Sequence, residues 1–181
     1  CLSTNGLLLP EYAGDLIDLD VHNVTVTVNC TEPELSARIY RNVIYRKKAY
    51  SETEGAQILI NNQIEGIKKL VEARALVKIN IVMMEGINDH HIPEVVQRMK
   101  NLGVFTTNIM PLIPAEGSAF AAHAATNPIR LAEMRKQCSE YLPQMMHCKQ
   151  CRADAIGMLG RDCSEEFITG RQKCGSCKDV G

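Results

Sequence analysis

Residues 145–154, with the sequence MMHCKQCRAD, carry the strongest chemical signal in the chain. Cys148 and Cys151 are separated by two residues, so their thiolates can reach one metal from a single short turn. Cys174 and Cys177 repeat this spacing, and the two pairs together could form a zinc ribbon with four sulfur ligands. Alternatively, Cys148 and Cys151 could supply two ligands to an iron–sulfur cluster whose other ligands come from a distant segment. The spacing does not decide between zinc and iron.

The cysteine distribution favours metal ligation over disulfides. The chain has eight cysteines in 181 residues, and five of them lie between Cys148 and Cys177 in a segment poor in core-forming residues. A chain of this length can bury a sizeable core, so it does not need disulfides as a substitute for one. The C-terminal cysteines are therefore interpreted as metal ligands.

The composition is that of a globular protein, with 45% hydrophobic and 23% charged residues. The net charge of −1 gives no overall electrostatic reason to expect a nucleic-acid or membrane partner. No apolar run is long enough to span a membrane, and the first residues lack the pattern of a signal peptide. We therefore expect a soluble, cytoplasmic protein, in which the cations Arg46, Lys47 and Lys48 belong to a solvated surface.

The elements that must position these cysteines alternate between strand and helix. Hydrophobic periodicity predicts strands over 22–30, 76–84 and 104–112, and helices over 11–19, 53–75, 91–102 and 127–141. Asp89 is a plausible cap for the third helix, Gly103 should follow its end, and Asn127 should cap the fourth. Since parallel neighbours need a crossover connection, this alternation predicts a parallel α/β sheet.

The predicted strands carry polar residues on one face, where a parallel strand covered on both sides would be apolar. Thr25, Thr27 and Asn29 alternate with valines, and Asn80, Thr106 and Asn108 recur on the later strands. In a barrel or half barrel such a face is the lumen, which binds ligands towards the carboxyl ends of the strands. We predict that one cavity near the carboxyl ends of the strands is lined by Thr27, Asn29, Asn80 and Asn108. Val26, Ile79 or Ile81 should then pack on helices on the opposite face.

The first residues resemble the end of a buried strand that runs into a Thr4-Asn5-Gly6 turn. Because the chain starts with Cys1 rather than methionine, we expect it to be part of a longer protein. The Thr4–Gly6 motif and the later Gly86–Asp89 motif are individually weak, since both could be plain turns.

Taken in order, the motifs are more specific than any one of them. CLSTNG is followed by VTVTVN, by VKINIV with GIND, by NIMPLI and by MMHCxxCRADAIG. This series resembles the radical S-adenosylmethionine enzymes that synthesise the iron–molybdenum cofactor of nitrogenase. The resemblance extends from residue 1 to about residue 160, and the HCxxCRAD ending narrows it to this family.

The resemblance implies a partial parallel (β/α) barrel of the radical S-adenosylmethionine type that lacks its first strands. The later half of the barrel would occupy residues 1–145. A cluster-binding segment would follow over residues 146–160, and a cysteine-containing tail over residues 161–181. Enzymes of this family are lyase-type proteins of nitrogen fixation that cleave S-adenosylmethionine with one 4Fe–4S cluster. They fuse two further 4Fe–4S clusters, with a carbide derived from the methyl group of S-adenosylmethionine, into an eight-iron cofactor precursor. Scaffold or carrier proteins of the nitrogenase cofactor are the partners that the resemblance implies.

The resemblance also implies roles for individual residues. Cys148 and Cys151 would hold one substrate cluster, and Cys1 would be a ligand to the other. The nucleoside of S-adenosylmethionine would lie near four strand positions, those of Thr27, Asn29, Asn80 and Ile81.

The sequence departs from the family pattern in two places. The Cys-x3-Cys-x-x-Cys loop that binds the radical-generating cluster and the glycine-rich strand for the methionine end are both missing. Both normally lie upstream, so we expect this chain alone to be inactive. Two other interpretations remain open, a zinc-ribbon binding module and another radical S-adenosylmethionine enzyme with auxiliary clusters.

Overall fold

A computed structural model describes residues 2–145, 157–158 and 161–162 of the chain. The chain divides into two compact units, residues 1–145 and 146–181. In the first unit the order of elements is β1 (Leu2–Thr4), α1 (Leu9–Asp18), β2 (Asn23–Thr27), α2 (Pro33–Ala37), β3 (Asn42–Tyr45), β4 (Lys48–Ser51), α3 (Glu52–Glu72), β5 (Leu76–Met83), α4 (Ile92–Asn101), β6 (Thr106–Pro111) and α5 (Pro128–Cys138). In the second unit, β7 (Gly157–Met158) pairs antiparallel with β8 (Arg161–Asp162).

Four strands of the first unit form one parallel sheet in the order β1-β2-β5-β6. The spatial order follows the chain order, so each crossover leads to the next strand along. Right-handed crossovers in one direction place their helices on the same side of a sheet. The predicted parallel α/β sheet is thus confirmed. Closure into a partial barrel stays a prediction, because these strands form an open sheet.

The helices cover one face of this sheet, and the hydrophobic core lies between them. The core contains residues of α1, α3, α4 and α5 together with alternate residues of the strands. In β5, Val77, Ile79, Ile81 and Met83 are buried, whereas the residues between them are half-buried. One face of the sheet is therefore sealed by packing, and the other is partly open.

The sheet is extended beyond β6 by the chain that follows α5. The N–H of Thr107 donates to the carbonyl oxygen of Pro143 at 3.0 Å, and the N–H of Met145 donates to that of Thr107 at 2.8 Å. Gln144 also forms a parallel bridge with Thr107. These bonds satisfy part of the outer edge of β6.

A β-hairpin between β2 and α3 is missing from the sequence prediction. Strands β3 and β4 pair with Tyr45 opposite Lys48, which leaves Arg46 and Lys47 as a two-residue turn. Their φ angles are 49° and 65°, so both adopt the left-handed conformation of a type I′ turn. Asn-Gly is the usual sequence for this turn, and a non-glycine residue with positive φ costs roughly 1 kcal/mol or more. The turn was overlooked because its sequence gives no turn signal.

Of the three residues predicted to mark the ends of the later helices, two are found in those positions. Asn127 caps α5, since its side chain accepts a hydrogen bond from the N–H of Ile129 at 2.9 Å. Gly103 follows α4 with a φ of 84°. The expectation that Asp89 caps α4 is wrong, because a 3-10 turn over Asp89–His91 precedes the helix and makes His91 the cap residue. The carboxylate of Asp89 instead accepts from the N–H of Gly86 at 2.9 Å.

Candidate functional site

The candidate site is the polar row on the partly open face of the sheet, formed by the half-buried Thr27 and Asn80 and the buried Asn108. Strand register places Thr27 beside Asn80 and Asn80 beside Asn108. Neighbours in register share a face, and the face changes with every residue along a strand. The three polar side chains therefore lie together, on the face opposite the helix-packed residues. The predicted common facing is confirmed for these three residues, while the shared cavity and the binding of a ligand there stay predictions.

Asn108 contains an unsatisfied polar atom. Its Nδ2 donates to Oδ1 of Asn80 at 3.3 Å, whereas its Oδ1 has no hydrogen-bond partner among the described residues. Only 1% of the residue is exposed. A buried polar atom without a partner costs roughly 1–3 kcal/mol. Whichever way the amide is oriented, one of its two polar atoms faces Asn80 and the other is left over.

A second row lies next to the polar row, towards the amino ends of the strands. Thr25 lies beside Lys78, and Lys78 beside Thr106. The hydroxyl of Thr106 donates to the carbonyl oxygen of Pro143 at 2.7 Å, and the Lys78 ammonium lies 3.7 Å from the sulfur of Met145. Through Lys78 this row adds a cation to the open face.

Asn29, a predicted nucleoside-binding residue, has a structural task in this fold. Its Oδ1 accepts a hydrogen bond from the N–H of Val82 at 2.8 Å, and its Nδ2 donates to the hydroxyl of Tyr40 at 2.9 Å. The side chain thus continues the pairing of β2 with β5 after β2 has ended at Thr27. Burial raises the pKa of Tyr40 to about 12, so its hydroxyl stays protonated at neutral pH.

Asn88 completes this connection from the loop after β5, and sequence reasoning gave it no role beyond a turn. It is fully buried and donates to the carbonyl oxygens of Asn29 and Val82, both at 2.9 Å. Its Oδ1 accepts from the N–H of Met84 at 2.8 Å. Asn29 and Asn88 therefore join the carboxyl ends of β2 and β5. The Gly86–Asp89 motif, which contains Asn88, was the available signal.

Gln63 has an equivalent task between β1 and β2 and was missed by the sequence analysis. From α3, its Nε2 donates to the carbonyl oxygens of Asn5 and Thr27, at 2.8 and 2.9 Å. It lies against Gly6, which has a φ of 82° and where an added Cβ would come within 2.7 Å of the Gln63 side chain. The Thr4–Gly6 motif is thus a close-packed turn at the carboxyl end of β1.

Ile81 lies apart from the polar row. Its side chain is fully buried in the core on the helix-covered face. Only its main-chain atoms could contact a ligand on the open face, and its predicted role near the nucleoside stays a prediction.

A histidine with two carboxylates forms a possible metal-binding group at the start of α4. Nδ1 of His91 lies 3.1 Å from Glu94 and 4.0 Å from Glu32, and the imidazole is buried. Its Nε2, however, accepts from the N–H of Thr31 at 3.3 Å. A nitrogen that accepts carries no proton, so the neutral ring has its proton on Nδ1 and donates it towards Glu94. The arrangement fits a hydrogen-bonded histidine better than a metal ligand.

Two cysteines outside the motif are buried thiols. Burial raises the pKa of Cys30, and it raises the pKa of Cys138 to about 11. Metal ligation needs thiolates, so the surroundings of these two residues do not favour it. The predicted ligands Cys1, Cys148 and Cys151 lie outside the described residues.

Comparison with known proteins identifies relatives of the chain. It is 46% identical to the FeMo cofactor biosynthesis protein NifB of Klebsiella pneumoniae, over 92% of the chain and 36% of that protein. For NifB of Azotobacter vinelandii the identity is 41%, over 92% of the chain and 34% of that protein. For NifB of Methanocaldococcus jannaschii it is 42%, over 96% of the chain and 57% of that protein. No family model matches.

These relatives confirm the resemblance to NifB that the order of motifs indicates. The chain spans about a third of the length of the two bacterial relatives. Among the described residues, no helix is both long enough and apolar enough to cross a membrane.

Proposed function

We propose that this chain is a segment of a radical S-adenosylmethionine enzyme that makes the eight-iron precursor of the iron–molybdenum cofactor. The observation that carries the proposal is an identity of 41 to 46% with NifB proteins over at least 92% of the chain. Those relatives are named for FeMo cofactor biosynthesis. In the proposed reaction two 4Fe–4S clusters are the substrates, and they are joined with a carbide from S-adenosylmethionine.

The polar row offers a place for the nucleoside of S-adenosylmethionine. A nucleoside carries hydroxyl and amine groups that donate hydrogen bonds, and Oδ1 of Asn108 has no hydrogen-bond partner among the described residues. Thr27 and Asn80 supply further hydrogen-bonding groups in the same row. When bound with a reduced 4Fe–4S cluster, S-adenosylmethionine supplies the radical chemistry of this enzyme class.

The remaining residues hold the row in place and exclude water from behind it. Asn29, Asn88 and Gln63 fix the carboxyl ends of three strands through side-chain hydrogen bonds to main-chain atoms. The helix-packed core behind the sheet closes the opposite face. A rigid support of this kind keeps ligand-binding groups in a defined geometry.

For the cysteines the proposal follows the family pattern. Cys148 and Cys151 hold one substrate cluster and Cys1 is a ligand to the other. The buried Cys30 and Cys138 serve packing. A cytoplasmic location and contacts with scaffold or carrier proteins of the nitrogenase cofactor complete the proposal.

The test uses the full-length protein, purified without oxygen. We expect iron and sulfide in excess of one 4Fe–4S cluster, and we expect Cys148→Ala or Cys151→Ala to remove the iron of one substrate cluster. Cys174→Ala and Cys177→Ala are the matched variants, with the iron content retained. Release of one zinc by all four substitutions, with no change in iron, would instead establish a zinc-ribbon module and refute the proposal for this segment.

A further inference from the structure

We propose that the β3–β4 hairpin is a docking surface for an acidic one-electron carrier protein. The inference rests on the proposed function, because reductive cleavage of S-adenosylmethionine consumes one electron for each molecule cleaved. Such an electron has to come from an external donor. The hairpin is the surface whose charge, shape and position suit this donor.

Charge is the first argument. Arg46, Lys47 and Lys48 follow one another at the tip of the hairpin, although the chain as a whole has a net charge of −1. Arg46 forms an ion pair with Glu11 at 3.1 Å, so Lys47 and Lys48 are the cations of the tip that have no carboxylate partner among the described residues. Lys47 is exposed and forms no salt bridge or hydrogen bond with the described residues. The ammonium of Lys48 lies 4.5 Å from the centre of the Tyr50 ring, a cation–π contact in which the ammonium keeps its positive charge. A local cluster of cations attracts an acidic surface over a distance that depends on ionic strength.

The backbone gives a second, independent argument. Both residues of the turn, Arg46 and Lys47, adopt positive φ angles that favour glycine or asparagine. Cations at these positions oppose the local preference of the backbone. Strained positions that persist despite their cost are typical of functional surfaces.

The tip is also held rigidly, as a recognition element has to be. The hydroxyl of Tyr45 donates to the carboxylate of Glu11 at 2.9 Å, and Nε of Arg46 donates to the same oxygen at 3.1 Å. At the base, Gly55 of α3 approaches the hairpin so closely that an added Cβ would lie 2.7 Å from the carbonyl oxygen of Tyr50. Pre-organisation of this kind lowers the entropy lost on binding.

An apolar group lies next to the cations. Ile44 is 71% exposed, and its partner across the hairpin is the exposed Ala49. Both lie on the face of the hairpin opposite Val43, which is buried. An exposed apolar side chain beside a charged rim is the usual composition of a protein–protein contact.

The position of the hairpin agrees with its proposed partner. It belongs to the connection that leaves the carboxyl end of β2 and leads to the start of α3. The polar row and its supporting amides lie at the same end of the strands. A carrier bound to the hairpin would therefore approach the end of the sheet at which the proposed chemistry takes place.

The test compares Lys47→Glu/Lys48→Glu with Lys68→Glu/Lys100→Glu in the full-length protein. The second pair is exposed, lies on α3 and α4, and changes the net charge by the same amount. Binding of an acidic ferredoxin is measured by titration at low ionic strength. We expect the hairpin variant to weaken binding at least tenfold and to lose most of its dependence on salt, while the control variant binds as the unchanged protein does.

A second readout separates this inference from the proposed function. Formation of 5′-deoxyadenosine is measured with reduced ferredoxin and, in parallel, with dithionite. We expect the hairpin variant to be slow with ferredoxin and unchanged with dithionite. Absence of 5′-deoxyadenosine with both reductants in the unchanged protein would refute the proposed function, and the titration alone would then decide the docking surface. The docking proposal would be overturned if both variants weakened ferredoxin binding equally. It would also be overturned if the unchanged protein bound anionic vesicles or RNA but did not bind ferredoxin.

Discussion

Asn108 and Asn80 form a hydrogen bond of 3.3 Å across β6 and β5, and this pairing leaves the buried Oδ1 of Asn108 without a partner among the residues that the structure describes. An apolar side chain at position 108 should leave the folded state at least as stable as asparagine does, because a buried acceptor without a donor is destabilising. In the proposed function, a bound ligand would supply this hydrogen bond.

Asn108→Leu should therefore separate ligand binding from stability. The two side chains are similar in size, so we expect the free energy of unfolding to change by less than about 1 kcal/mol. Binding of S-adenosylmethionine to the full-length protein should weaken by roughly 10-fold or more, which corresponds to about 1.4 kcal/mol for one hydrogen bond. Denaturant unfolding and titration calorimetry measure the two quantities. Unchanged affinity would exclude Asn108 from the site.

Asn88→Ala should have the opposite profile. The substitution removes two donated hydrogen bonds and one accepted one, and it leaves buried main-chain groups of Asn29, Val82 and Met84 without partners. We expect a loss of roughly 2–4 kcal/mol in the free energy of unfolding. Asn61→Ala is the control, since Asn61 is exposed and its side chain bonds, within the described part of the chain, only to the exposed Gln57. A loss below about 1 kcal/mol at Asn88 would contradict its proposed support of the two strand ends.

The contrast between these asparagines explains how much the sequence could predict. Alternation along a strand fixes which side chains share a face, so the row of Thr27, Asn80 and Asn108 followed from spacing alone. Alternation carries no information about hydrogen-bond partners. Asn29 was therefore grouped with the row, although its amide is bonded to Val82 and Tyr40, which are distant from it in sequence.

The hairpin was missed for a different physical reason. Turn prediction depends on residues that favour a left-handed backbone, and Arg46 and Lys47 do not. The packing of Val43 against α3 and the bonds to Glu11 stabilise the turn from outside the local sequence. Tertiary contacts of this kind are not visible in a short window of residues.

Gly6→Ala and Gly86→Ala form a matched pair that isolates close packing from backbone strain. Both glycines have positive φ angles, 82° and 75°. An added Cβ at Gly6 would meet Gln63 at 2.7 Å and Val26 at 3.0 Å, whereas at Gly86 no described residue other than its chain neighbours has an atom within 4 Å. We expect a loss of about 1 kcal/mol for Gly86→Ala from strain alone, and at least about 2 kcal/mol for Gly6→Ala. Equal losses in chemical denaturation would contradict a close-packed turn at the end of β1.

Cys138 should make the stability of the first unit depend on alkaline pH. Burial raises the pKa of its thiol from 9.0 to about 11. The stabilisation is fully present below the pKa of the unfolded chain and is lost as the pH rises towards the folded pKa, because the unfolded thiol ionises first. Between pH 9 and 11 we expect Cys138 to account for a loss of roughly 1–2 kcal/mol. Unfolding of the unchanged protein and of Cys138→Ala over this range measures the difference, and parallel curves would refute the buried thiol.

Lys47→Gly tests the strain in the hairpin turn. Lys47 adopts a φ of 65° without any hydrogen bond or salt bridge to the described residues, so glycine should relieve strain and remove no folded-state contact of the charged group. Glycine also makes the unfolded chain more flexible, which offsets part of the stability gained by relieving strain. We expect a net stabilisation of roughly 0.5 kcal/mol. Lys48→Gly is the control, because Lys48 lies in β4 and its ammonium contacts the ring of Tyr50. That variant should lose roughly 1 kcal/mol. Thermal unfolding of both variants measures these changes, and a loss of stability in Lys47→Gly would show that the left-handed turn is not strained.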